Sequence, residues 1–178
     1  MRCDWSDIAG VQLRPAAVFA DDRGNFTKVL AEPVEAEQVC TSFNRLRGTV
    51  RGLHVQADPF PETKTLWCVA GAVWDVMVDL RASEPTYGNW AGVDLTASEP
   101  AALTLPPGVA HGYQVIEDGA TIVYLISGEF APTAARTLRW DDPTVGIEWP
   151  LPVGVMSEAD RSGMSWPIDL RDPGAVSS

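Results

Sequence analysis

The chain has 178 residues, 46% of them hydrophobic, with seven tryptophans and a formal net charge of −11. That length suits a single domain, 1–178, with a sizeable apolar core, and the composition excludes a disordered chain. The acidic balance speaks against a nucleic-acid partner or an anionic membrane surface, while a local basic pocket for a small phosphorylated ligand stays open.

No run approaches the roughly 20 apolar residues of a membrane span, and the opening MRCDWSDIAG has no apolar stretch of a secretory signal. The three cysteines, Cys3, Cys40 and Cys68, form no CxxC pair. Reduced thiols in the cytoplasm are therefore expected, rather than a disulfide framework or a zinc knuckle.

In chain order, AEPVEAEQV (Ala31 to Val39) suggests a short turn. VRGLHVQ (Val50 to Gln56) has the apolar character of a buried strand but carries Arg51 and His54. KTLWCVAG, GAVWDVMVDLR, WAGVDLT, AALTLPPG, GYQVIED and TIVYLISGEF then follow at roughly ten-residue spacing. This is the habit of an antiparallel sandwich or barrel. AGAV supplies a turn between two of these runs, and Asp118-Gly119 predicts a hairpin between two more. Prolines spread throughout argue against long helices. SEADRSG, with Ser157 as N-cap, predicts a short helix near the C-terminus. The tail RDPGAVSS is expected to fray. The fold class is thus mostly β, an antiparallel barrel with a few short C-terminal helices. Polar residues inside its strand runs (His54, Lys64, Asp75, Asp79, Arg81) point to a pocket in the mouth or lumen.

His54 is either a hydrogen-bonded core residue or a base. With strict alternation it shares a face with Gln56, and Arg51 falls on the other face unless a bulge at Gly52 re-aims it. His111, in LPPGVAHGYQV, is a structural or a ligand-contacting imidazole. Two histidines on barrel strands invite a metal reading, but His54-Val55-Gln56 stands where a metal-binding barrel needs His-x-His, so no metal is expected. Asp160 is either a surface helix-start carboxylate or the partner of His54, accepting its Nδ1 proton and stabilising the imidazolium. Asp79 and Arg81 are at least as apt to form a structural ion pair as to touch a substrate, and the tryptophans are mostly core or pocket wall.

GTVRGLHVQ, PETKTLWCVAGAVWDVMVDLR, PTYGNW, LPPGVAHGYQV, RWDDPTVGIEWP and SEADR stand in the order and spacing of the dTDP-4-dehydrorhamnose 3,5-epimerase family, which the chain resembles from DDRGNF to about Arg161. The resemblance implies a metal-free, cofactor-free, cupin-like jelly roll, a homodimer, acting on a nucleotide sugar, a dTDP-4-keto-6-deoxyhexose. It implies that His54 is the base, Asp160 its partner, and Lys64 the cation that stabilises the enolate. Arg23 and Arg51 then contact the substrate and its diphosphate, and Gln56, His111 and Phe130 line the substrate site.

Two positions depart from the family pattern. Phe130 stands where the family places its acid tyrosine, and Lys28 where many members carry a carboxylate. Three accounts follow: an epimerase, at C3 only or at both centres, using water or another hydroxyl such as Tyr113 as the acid; a related reaction on an unusual deoxysugar; or a binding protein without catalysis.

Overall fold

The computed structural model describes residues 1–171, so the expected fraying of the tail, residues 171–178, lies outside the described residues from Asp172 onward. Among the described residues twelve strands form: β1 (Gln12–Pro15), β2 (Ala17–Asp21), β3 (Gly24–Lys28), β4 (Gln38–Asn44), β5 (Val50–Gln56), β6 (Lys64–Ala70), β7 (Ala72–Asp79), β8 (Trp90–Thr96), β9 (Ala101–Leu105), β10 (Val109–Val115), β11 (Ala120–Ile126) and β12 (Ala135–Thr137). One five-stranded sheet has the order β1-β9-β6-β11-β4, a second the order β12-β5-β10-β7-β8, and β2 and β3 make a separate hairpin. The strand pairings are antiparallel, giving the cupin-like jelly roll.

The core lies between the two sheets. Leu66, Cys68, Leu103, Leu105 and Ile122 of the first sheet meet Val73, Met77, Leu95, Val109, Tyr113 and Val115 of the second. The second sheet is also covered on its outer face, where Leu53, Val55, Trp74, Val76 and Val78 pack against Leu138, Val145 and Ile168 of the C-terminal segment. Hence every residue of β7 is buried, which is why its sequence reads as a near-continuous apolar run broken by Asp75 and Asp79 rather than as an alternation. Trp74 sits edge-on to both Trp90 and Trp149, at centroid distances of 6.1 and 5.7 Å. The first sheet leaves its outer face open, with Val39 71% and Phe43 62% exposed.

Three local expectations are corrected. Asp118-Gly119 does turn the chain, with Gly119 at φ +75°, but it is not a hairpin turn. β10 pairs with β5 and β7, whereas β11 pairs with β4 and β6, so the connection crosses from one sheet to the other. A turn dipeptide specifies the reversal; long-range pairing decides which strand lies alongside. Gly71 makes the same kind of crossing between β6 and β7. Residues 31–37 form no helical turn and reach β4 through bends at Ala31, Glu32 and Glu37, Pro33 having removed a backbone donor. Among the described residues the C-terminal region holds a single four-residue helix, α1 (Glu158–Arg161), capped as expected by Ser157 Oγ, which accepts from the Asp160 amide at 3.1 Å.

The strand pair that positions the site is β5–β10. His54 lies opposite His111, and Arg51 lies opposite Tyr113, so three steps along β5 match two along β10. The extra residue is a β-bulge at Gly52–Leu53, with Gly52 at φ +108°. A Cβ on Gly52 would come within 2.6 Å of Gly112 Cα and 2.8 Å of the His111 carbonyl oxygen. Only glycine permits both this φ and this approach. The bulge shifts side-chain parity by one, so Arg51 and His54 emerge on the same face, while Leu53 and Val55 go to the outer core.

Candidate active site

His54 Nε2 lies 2.7 Å from Asp160 Oδ1. The contact uses Nε2, not the expected Nδ1. Nδ1 is thereby left for a ligand. The His54 side chain is 47% exposed and that of Asp160 only 9%. Burial pushes the Asp160 carboxyl up, but the bond and charge of His54, the Ser157 hydroxyl and the Gly52 amide together outweigh it and hold the carboxyl below its usual range. An ionised carboxylate is the state that favours an imidazolium beside it. The bulge at Gly52 therefore aims Arg51 and also helps seat the acid partner.

His54 opens onto a small pocket of about 70 Å³ with Ser42, Arg51, His111, Gly112, Tyr113 and Tyr124. A polar chain runs behind it. Ser42 Oγ and Tyr113 Oη are 2.8 Å apart, Tyr113 Oη donates to Asn44 Oδ1 at 3.2 Å, and Arg51 Nε donates to the same oxygen at 2.8 Å. The Arg51 guanidinium is held by one edge, leaving its outer nitrogens for an anion. Burial pushes the Tyr124 phenol well above its usual value, with the neighbouring Tyr113 and Asp75 adding to the effect. That hydroxyl keeps its proton at neutral pH.

Beneath His54 lies a second imidazole–carboxylate pair. His111 Nδ1 is 3.2 Å from Asp75 Oδ2, both groups being buried. Burial favours the neutral form of each: it pushes Asp75 up and His111 down, against their mutual attraction. Asp75 Oδ1 has no hydrogen-bond partner among the described residues. Lys64 acts on both members through its charge, and its Nζ is held 2.8 Å from Glu62 Oε1.

The remaining expected site residues are placed differently. Gln56 is 5% exposed, and its amide is occupied by backbone. Its Nε2 donates to the carbonyls of Phe60 and Glu129 at 3.2 and 3.1 Å, and its Oε1 accepts from the Ala131 amide at 2.7 Å. Phe130, between those two anchored residues, is 58% exposed and is not in the wall of the His54 pocket. Arg23 is on the exposed β2–β3 hairpin, bonded to Asp21, and also lies outside that wall. Asp79 and Arg81 form a bidentate ion pair at 2.8 Å, joined by Thr86. A larger cavity of about 580 Å³ borders that ion pair and the Pro167–Arg171 segment.

Sequence reasoning did not single out Ser42, Asn44 or Tyr124. Alternation in QVCTSFN puts Ser42 and Asn44 on one face with Cys40, which was the available signal. Among the described residues no three His, Cys, Asp or Glu side chains converge as a metal site requires.

A jelly roll that holds a His–Asp pair beside hydroxyls and a guanidinium is a cupin-like domain with groups suited to acid–base chemistry. The family model for dTDP-4-dehydrorhamnose 3,5-epimerase matches residues 6–167, and the chain belongs to that family. It is 38% identical over 164 residues to a dTDP-4-dehydrorhamnose 3,5-epimerase of Sinorhizobium fredii, covering 87% of this chain and 84% of that one. It is 37% identical over 176 residues to a dTDP-4-dehydrorhamnose 3-epimerase of Streptomyces niveus, covering 97% and 83%. The crystal structure of the 3,5-epimerase of Bacillus anthracis with TDP and pyrophosphate bound superposes with a TM-score of 0.84 at 30% identity, covering 88% of this chain and 94% of that one.

Proposed function

We propose that the protein is an isomerase that epimerises a dTDP-linked 4-keto-6-deoxyhexose in deoxysugar biosynthesis. The observation that carries this reading is the His54–Asp160 contact at 2.7 Å, its ring opening onto a pocket that also holds Arg51 and two phenols. His54 Nδ1 takes the proton from the carbon beside the ketone. The C–H electrons pass into an enolate, and the former ketone oxygen takes the negative charge. Lys64 and the His111 edge supply the positive and hydrogen-bonding field that lowers the cost of that charge, a term worth several kcal/mol in a dry site (~3 kcal/mol). Asp160 stabilises the imidazolium. A proton then reaches the opposite face of the carbon, and His54 releases its own to solvent.

Phe130 has no hydroxyl to deliver that second proton. Tyr113, hydrogen-bonded in the pocket, or a water takes the role in this reading, and inversion at C3 alone is favoured. Arg51 grips the diphosphate. Arg23 is not in the wall of its own pocket, and with Phe19 and Phe26 of the same hairpin exposed at 60% and 68%, a second copy of the chain is the fitting recipient. The reading therefore includes a homodimer, with a cytoplasmic location matching its nucleotide-sugar substrate. Among the described residues no helix is long and apolar enough to cross a membrane.

The test is incubation with dTDP-4-keto-6-deoxyglucose in D₂O, followed by NMR of the sugar. Deuterium at C3 alone supports a one-centre epimerase, and deuterium at C3 and C5 a two-centre one. Tight binding without exchange supports the second reading, a nucleotide-sugar binding protein, which the missing hydroxyl at Phe130 favours.

A further inference from the structure

We propose that Gln56 is a positioning residue: its amide ties the backbone on both sides of Phe130 to the strand that carries His54, and so fixes the side chain that position 130 presents to the sugar. The chemical consequence rests on the epimerase reading above; the tethering does not.

The geometry is specific. Gln56 follows His54 by two residues on β5, so the two side chains leave the same face about 6.6 Å apart along the strand. Both amide hydrogens and the amide oxygen of Gln56 are engaged with main chain: Glu129 before Phe130, Ala131 after it, and Phe60 from the loop leading to β6. The tether continues on each side. Ser127 and Thr63 exchange bonds through the Ser127 amide and hydroxyl, Gly128 donates to Glu37, and the Ala57 amide donates to the Ala134 carbonyl. Residues 127–134 thus run beside β5 and enter β12, where Ala135 pairs with Gln56 and Thr137 with His54.

A buried glutamine that satisfies three backbone groups has little left for a ligand. Its removal leaves the Ala131 amide and the Glu129 carbonyl without partners. The side chain at 130 would then lose its fixed relation to the imidazole without any change in the His54–Asp160 pair. Since a misplacement of about 1 Å can cost 10²-fold in rate, this tether determines whether any group at position 130 can act on the face opposite His54.

Two measurements on the full chain test this. In the first, backbone amide hydrogen exchange is compared between the wild type and Gln56→Ala. The Ala131 amide should exchange about tenfold faster or more, with β7 and β10 unchanged. Equal protection at Ala131, or a uniform loss everywhere, overturns the tether, and this readout needs no substrate. In the second, Gln56→Ala is combined with Phe130→Tyr. The tyrosine alone should raise turnover and change the ratio of deuterium entering C5 and C3. With Gln56→Ala present that gain should vanish, while the pH profile of turnover stays that of the wild type. A gain from tyrosine that persists without Gln56 overturns the positioning role. Absence of exchange in every variant would count against the epimerase reading and leave the amide-exchange result to decide the tether.

Discussion

Replacing Asp160 with asparagine isolates the charge of the dyad from its shape. Asparagine keeps the size of the side chain and an oxygen for the His54 Nε2–H, so ring orientation is retained. What disappears is the attraction between carboxylate and imidazolium, which exists only once His54 has taken a proton. Two unit charges about 4 Å apart near a protein surface attract by about 4 kcal/mol. The His54 ring is 47% exposed, and solvent screening on that side reduces the figure to about 2 kcal/mol. At a factor of ten for about each 1.4 kcal/mol, kcat should fall roughly 30-fold. KM should move less than about threefold, because the charge pair is absent in the ground state. The assay is the initial rate of deuterium entry at C3 in D₂O, measured over a substrate series. An Asp160→Asn enzyme within threefold of wild-type kcat, or one impaired only in KM, would refute the assignment of Asp160 as partner of the base.

His54→Ala should abolish exchange at every carbon while the protein still binds the nucleotide sugar, as titration calorimetry would show; surviving exchange would mean another base. Phe130→Tyr should raise turnover, read by the same NMR assay, and an unchanged rate would place the returning acid elsewhere. Gly52→Ala forces a contact of 2.6 Å with Gly112 Cα at φ +108°. Strain at that φ and overpacking together should cost about 3–5 kcal/mol in urea unfolding; a loss under 1 kcal/mol would mean that the bulge relaxes freely. Asp160 is held below its usual value, so its stabilising contribution is complete above about pH 4, the unfolded carboxyl value, and is lost as pH falls through the lower folded value. The stability gap between wild type and Asp160→Asn should therefore be full at pH 7 and close on acidification below pH 4, as measured by denaturant midpoints; a constant gap would show that the ionised carboxylate and the hydrogen bonds it accepts are not its source.

Much of this was legible in the chain. Short apolar runs broken by glycine and proline specify strands, because side-chain period and turn chemistry are local properties. The family resemblance singles out His54, Asp160 and the missing hydroxyl at Phe130, and the structure brings the first two within 2.7 Å. Three things were not local. Asp118-Gly119 and Gly71 turn the chain, but only the packing of two sheets decides that they cross between layers. Gln56 reads as a pocket residue by alternation with His54, yet the loop that returns beside β5 takes its amide for backbone. Arg51 and His54 stand at an odd separation that strict pleating sends to opposite faces; the glycine-permitted bulge against Gly112 puts them on one. Sequence determined which groups could do acid–base work here. The register between β5 and β10 decided that they meet, since a one-residue offset in a strand reverses the face of every side chain beyond it.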